Sequence, residues 1–472
     1  MSKKKKDLTE GSILKSLLVL SIPIILANLL QTAYQLIDTF WVGRLGADAV
    51  AAVSISFPFI FLIVSFGGGL AIAGTILVAQ YYGKKDKKAV DHIASQTLMM
   101  IVIVSIILAV IGYLLSPFLV SLMGVEESVY SDAVFYLRVS FIGIVFVFTY
   151  LVFQSLMRGI GEVKMPAYIV LGTVLLDLIF DPLFIFGYGF IPAFGVAGAA
   201  VATIATQALA SLVGIIILIR GKHHIKLHLN DLKPDFPLIR KMFRLGLPAS
   251  IEQSTRSLAM IFMTFLVSGF GTVTIAAFGI GTRILSFAVI PALGLSMATS
   301  TIVGQNMGAG KIKRAESTVK LSSLFSFVSL TIIGILFFIF AEPISDFFMP
   351  GETEAIDASA IFIRIMALTF GFIGLQQVLH GAFMGSGNTM ITMILSIMTL
   401  WVLRFPLAYL LSHHTSLGST GIWWAYPISN IAAALVAVIW FSRGTWKKKK
   451  ITEEIKLSEK TTEEAMIEEG IN

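Results

Sequence analysis

Two aspartates, Asp177 and Asp181, stand four residues apart in LLDLIFDPLFIF (175–186), an otherwise apolar run. On a helix that spacing puts both carboxylates on one face, a single turn apart. A third, Asp38, interrupts LLQTAYQLIDTFWVG (29–43). A charge at the centre of a bilayer costs at least about 2.5 kcal/mol, and such residues mark ion paths and proton relays. Carboxylates gathered in a low dielectric resist being charged together, so a cluster can hold a proton. Its oxygens can also collect a hard monovalent cation. Plainer readings exist for each. Asp181 precedes Pro182 and could mark a helix break, because proline removes a backbone donor and biases its predecessor away from the helix. Asp38 could sit in water beside the interface-type Trp41, and Asp177 could hydrogen-bond a neighbouring helix.

Other polar groups have more local explanations. Glu252 and Arg256 are four apart and are expected to pair. Arg138, Arg283, Arg364 and Arg404 are read as structural pairs or the lining of a wet cleft. His380 is either a packed histidine or a proton relay. Gln80 with Gly83, and Gln305 with Gly308, terminate helices before basic loops, with no phosphate-binding spacing around them.

The elements that carry these groups follow from composition. Of 472 residues, 56% are hydrophobic and 13% charged, against about 25% charged in soluble domains. The mean hydropathy is +0.87. This is an all-α polytopic membrane protein. Apolar runs of about 20 residues give twelve candidate spans, at 13–41, 52–81, 93–115, 131–156, 164–188, 195–219, 239–268, 274–304, 317–340, 359–383, 390–411 and 420–441. The runs are far longer than the roughly 10 alternating residues of a barrel strand. MSKKKK resembles a signal-peptide start, but the apolar run behind it is too long for one and is read as a retained first span.

Lys and Arg concentrate at the N-terminus, in the even-numbered loops (KKDKK at 84–88, RGKHHIK at 220–226, KIKR at 311–314) and at KKKK 447–450. The odd-numbered loops are poor in them. The positive-inside bias puts both termini in the cytoplasm of a multi-pass cell-membrane protein. The net charge of +7 therefore reflects basic loops and predicts no nucleic-acid partner. Cysteine is absent, which excludes disulfides and thiolate metal sites. No cofactor is expected.

The chain repeats itself. A shift of 225 residues carries Pro23 onto Pro248, Gly46 onto Gly271, and Gln80 and Gly83 onto Gln305 and Gly308; a shift of 226 carries Gly159 and Gly161 onto Gly385 and Gly387. Six helices per repeat is an even number, so the halves should share one orientation and be related by a pseudo-twofold axis along the membrane normal. The expected organisation is a tail at 1–12, an N-lobe at 13–220, a cytoplasmic linker at 221–238, a C-lobe at 239–441 and a tail at 442–472, flexible from 447. The carboxylates do not repeat: Asp38 falls on Met263, and Asp181 near Phe405, beside Arg404. A feature confined to one lobe is an added function rather than a structural need. Two lobes around a cleft suit a secondary transporter, and 36 Phe and 18 Met suit an adaptable apolar site.

The stretches LSIPIILANLLQTAYQLIDTFWVGRLGADAVAAVSISFPF (20–59), FQSLMRGIGEVKMP (153–166), DPLFIFGYGFIPAFGVAGAAVAT (181–203) and VGQNMGAGKIKRAE (303–316) resemble the multidrug and toxic compound extrusion (MATE) family, in its prokaryotic DinF-like branch. The resemblance covers all twelve spans. It implies a transporter, not an enzyme: an inner-membrane antiporter, expected as a monomer among membrane lipids, that expels small amphipathic, often cationic compounds against inward H+ or Na+. It makes Asp38 and Asp181 the coupling carboxylates, Thr203 a group completing the ion site, with Na+ possible at Asp38, Asp177 and Asp181, and Pro23 the proline that bends the first helix. Asp177 departs from the family pattern, which often has Asn there, and the NorM-like carboxylates of helices seven and ten have no clear match. A flippase for lipid-linked saccharides shares the plan and would line its cleft with cations such as Arg256, Arg283, Arg364 and Arg404. An intramembrane aspartyl protease would also use two helix-borne aspartates, but lacks its Gly-x-Gly signature here.

Overall fold

The computed structural model of the protein describes residues 7–448 and 451–452, apart from 190 and 349. Residues 1–6 of the expected N-terminal tail and most of the C-terminal one lie outside the described residues. Helices α1 Ile13–Gly43, α2 Ala47–Gly83, α3 Lys87–Ser121, α4 Glu127–Gly159, α5 Lys164–Phe186 and α6 Val196–Arg220 form the first repeat. The second runs through α7 Phe236–Ser268, α8 Thr272–Gly308, α9 Ile312–Ile339, the short α10 Ala341–Phe348, α11 Thr353–Ala367, α12 Phe370–Gly385, α13 Thr389–Ile397, a π-helical turn Met398–Arg404, α14 Phe405–His413 and α15 Ser419–Ser442. The layout is twelve spans in two halves. Ten described helices are long and apolar enough to cross a membrane, or eleven when α11 and α12, bent by 51° at their break, count as one span. Helix α7 falls short because Glu252, Gln253 and Arg256 interrupt its apolar half.

The repeat is visible in backbone detail. Gly46 and Gly271 precede α2 and α8 at φ 112° and 90°, and Gly161 and Gly387 turn at φ 82° and 81°. A side chain pays a steric penalty in that region, so glycine is retained at both repeat positions.

Three local features depart from expectation. Asp181-Pro182 is no helix break, since α5 runs through Pro182 to Phe186. The span expected over 359–383 is broken at Leu368 and Thr369, where Gly371 and Gly374 follow and weaken helix propensity. In the eleventh span, Pro406 offers no N–H to the Val402 carbonyl, and the preceding turn widens into a π-helix over Met398–Arg404.

The chain forms two compact units. Among the described residues, one comprises 26–250 with 451–452, and the other 7–25 with 251–448. The division falls inside α1 and α7 rather than in the linker. In the first unit the linker is tied to α3: His92 Nδ1 lies 3.1 Å from Asp231 Oδ1 and Nε2 3.0 Å from Asp235 Oδ2. Gln96, fully buried, donates to the Asp231 carbonyl and accepts from Asp235 N. Asp235 Oδ1 in turn accepts from Leu238 N in the first turn of α7. In the second unit, the segment expected to be a free tail begins packed. Trp446 is fully buried, stacked on Phe441, and Lys447 Nζ meets Glu316 Oε2 at 2.7 Å.

Candidate functional site

In the unit of residues 26–250, α1, α5 and α6 meet around a group of acids. Trp41 of α1 packs edge-on against Phe186 of α5, centroids 6.2 Å apart. Tyr34 of α1 lies 3.4 Å from Thr206 Oγ1 of α6, and Thr206 donates to the Thr203 carbonyl at 2.9 Å. Between these contacts the pattern of α5 turns Asp177 and Asp181 inward, and both are fully buried. Their lipid-side neighbours Leu175, Leu178 and Ile179 are exposed, as an amphipathic face requires. Asp38, half-buried on α1, is within electrostatic reach of both Asp177 and Asp181. Tyr34 and Asp181 lie against Asp177, and Tyr136 of α4 faces Asp38 and Asp181.

The structure thus gathers Asp38, Asp177, Asp181 and Thr203 in one unit. Among the described residues, no Lys or Arg is among the groups these carboxylates face. Both oxygens of Asp177, both of Asp181 and Oδ1 of Asp38 are buried without a satisfactory hydrogen-bond partner. A buried carboxylate left so is costly unless it takes a proton or a cation. Among the described residues no three acidic, His or Cys groups converge tightly enough to hold a metal ion. Pro23 stands apart, fifteen residues before Asp38 on α1 and so about 22 Å along its axis.

Three participants were not singled out from sequence. Tyr34 precedes Asp38 by one turn, so their shared face was readable from the i, i+4 spacing. Tyr136 and Thr206 come from α4 and α6 and depend on tertiary packing. An apolar groove of about 750 Å3 lies in the same unit, lined by Phe146, Phe180, Phe184, Leu209 and Leu212 among others, with Thr149 and Ser211 its polar lining side chains. It suits an apolar body of drug size.

The expected Glu252–Arg256 pair forms in the other unit, with Arg256 Nη2 2.9 Å from Glu252 Oε1. His380 Nε2 of α12 also approaches Glu252 Oε1, at 2.7 Å, though at an angle too poor for a hydrogen bond. Arg256 further reaches Gln377 Oε1 at 3.5 Å. His380 therefore faces a carboxylate, which its position in sequence gave no means of seeing.

The MatE family profile matches residues 23–183 and 248–410, once in each half. "Probable multidrug resistance protein YoeA" of Bacillus subtilis is 30% identical over 94% of this chain and 96% of its own length. "Probable multidrug resistance protein NorM" of Thermotoga maritima is 26% identical over 93% and 94%. Among solved structures, a MATE protein in complex with MaL6 superposes with a TM-score of 0.88 at 26% identity, covering 95% of this chain and all of that one. The protease reading falls with these matches. The chain belongs to the MatE family, and is a multi-pass membrane transporter of the multidrug type for small molecules, not an enzyme.

Proposed function

We propose that the protein is a cation-coupled antiporter that exports amphipathic, often cationic compounds across the cytoplasmic membrane by alternating access. The carrying observation is the acid group of fully buried Asp177 and Asp181 with half-buried Asp38, with orphaned oxygens and no basic neighbour among the described residues. Such a group is stable in the membrane when neutralised, so its ion occupancy and the conformation of α1 and α5 are linked. The proton is the favoured ion. One carboxyl suffices to hold it, whereas sodium needs several oxygen ligands at once.

In this reading both termini are cytoplasmic, and the lobes 13–220 and 239–441 of a monomer rock about the cleft. Substrate enters from the cytoplasm or inner leaflet. Protonation from outside then neutralises the acids and weakens their hold on a cationic substrate. Thr203 and Tyr34 supply hydroxyls around the acids. Pro23 is the bending point of α1, because it leaves the Val19 carbonyl without its helical partner. Solved MATE structures 26% identical to this chain have been described in bent and straight conformations, which supports a mobile element of this kind.

The test is ethidium efflux from cells expressing Asp38→Asn or Asp181→Asn at wild-type levels. Efflux is expected to fall at least about tenfold in each, the scale of losing one charge-assisted interaction. Unaltered efflux in both would sink the proposal.

A further inference from the structure

The unit of residues 251–450 has the opposite charge problem. Arg404 closes the π-helical turn in the middle of its span, where a cation is as costly as an anion. Its Nε donates to Ser429 Oγ at 3.0 Å, Nη2 donates to Asn430 Oδ1, and its guanidinium lies 4.5 Å from the Tyr426 ring centroid. A hydroxyl, an amide oxygen and a ring carry no charge. Nη1 is left uncommitted among the described residues. Arg256 is close enough for the two charges to repel. Glu252, the one carboxylate of this polar group among the described residues, is already engaged by Arg256. Two guanidiniums and one carboxylate leave a positive charge unmatched.

A structural tie does not account for this. Linking the π-turn to α15 through Ser429 and Asn430 needs donors, which a neutral glutamine would supply without a charge. The repeat sharpens the contrast. A shift of 224 residues places Pro182 on Pro406, and so Asp181 on Phe405 and Asp177 on Trp401. Phe262 packs on both, with centroids 5.0 Å from Trp401 and 6.0 Å from Phe405. The first half thus places acids where the second has aromatic rings beside an uncompensated guanidinium.

We infer that Arg404 is an anion subsite of the transported substrate: it receives a carboxylate or phosphate oxygen of an amphipathic aromatic compound, so that zwitterions and acids are carried as well as simple cations. This rests on the transport reading above but not on its coupling ion. An arriving anionic oxygen takes a charge-assisted hydrogen bond from Nη1 and supplies the missing charge in a medium of low dielectric. The same chemistry could come from a lipid phosphate, and the experiment separates the two sources.

Rhodamine 6G is an esterified cation, and its hydrolysed free acid is a zwitterion on the same rings. Binding of both is measured by fluorescence polarisation to the purified full-length protein in phosphatidylcholine nanodiscs. Arg404→Gln is expected to weaken the acid at least about tenfold and the ester less than about twofold, as loss of one charge-assisted contact implies. Arg404→Lys, which keeps the charge, should retain more of the acid's affinity than Arg404→Gln. Unchanged ester binding shows that the variants are folded. Equal losses for both dyes, or no loss for the acid, would overturn the inference. So would wild-type binding of the acid that disappears when phosphatidylglycerol replaces phosphatidylcholine, because the site would then be a lipid's. A wild type that bound neither dye would overturn the transport reading along with it.

Discussion

Asp177 and Asp181 share a helix face and full burial, yet they differ in their neighbours. Asp177 lies against Tyr34, whereas Asp181 faces the other acids and Tyr136. An amide in place of Asp177 keeps an oxygen for the Tyr34 hydroxyl and removes one charge from a crowded acidic group. Asp177→Asn is therefore expected to keep ethidium efflux within about threefold of wild type, while Asp177→Leu, which removes the polar group from the acidic site and leaves the Tyr34 hydroxyl only Thr206, should lose more. Equal and severe losses in Asp177→Asn and Asp181→Asn would show that the two carboxylates act as one unit. The acids themselves could be read from sequence because ionisable groups are rare in apolar runs. Their surroundings could not. Tyr136 and Thr206 reach the pocket only through the packing of α4 and α6, and the partner of Glu252, His380, is more than a hundred residues away.

At the scale of elements, the linker carries its own switch. His92 stands at the start of α3, before the apolar run 93–115, with a carboxylate on each ring nitrogen. Only the imidazolium can donate to both. Burial alone would lower its pKa, and the hydrogen bonds to Asp235 and Asp231 outweigh it, leaving the value above its ordinary 6.5. The tie is therefore complete below pH 6.5 and is lost as pH rises through the raised value. Beside this tie, Asp91 Oδ2 and His228 Nε2 lie 3.8 Å apart. Tryptic cleavage of the linker after Lys226, normalised to trypsin's own activity at each pH, should accelerate as pH rises above 6.5 in wild type and be fast and independent of pH in His92→Ala. A pH-independent wild type would rule the switch out. The linker's position was legible from its charge and prolines, but its attachment was not, since His92 and Asp235 are 143 residues apart. The existence of the spans was readable from apolar run length, but the short α10 between two of them was not. The kink between α11 and α12 and the π-turn were not, because both lie inside runs that stay apolar.

For the whole molecule, the repeat is the feature from which most else follows. It fixed the twelve-span plan in two halves, and the paired glycines at Gly46 and Gly271 carry it into the backbone. It also isolates what differs: acids in one half, and arginines with aromatic rings in the other. The compact units, however, divide within α1 and α7, two residues beyond Pro23 and Pro248, and hydropathy holds no trace of such a boundary. The central claim, that proton movement through the acids drives substrate export, is tested most directly in proteoliposomes containing the purified protein. With an acidic lumen and no sodium, ethidium should accumulate inside as protons leave, and the accumulation should collapse with an ionophore and be absent with Asp181→Asn. Full accumulation without a proton gradient, or driven by a sodium gradient alone, would contradict the account.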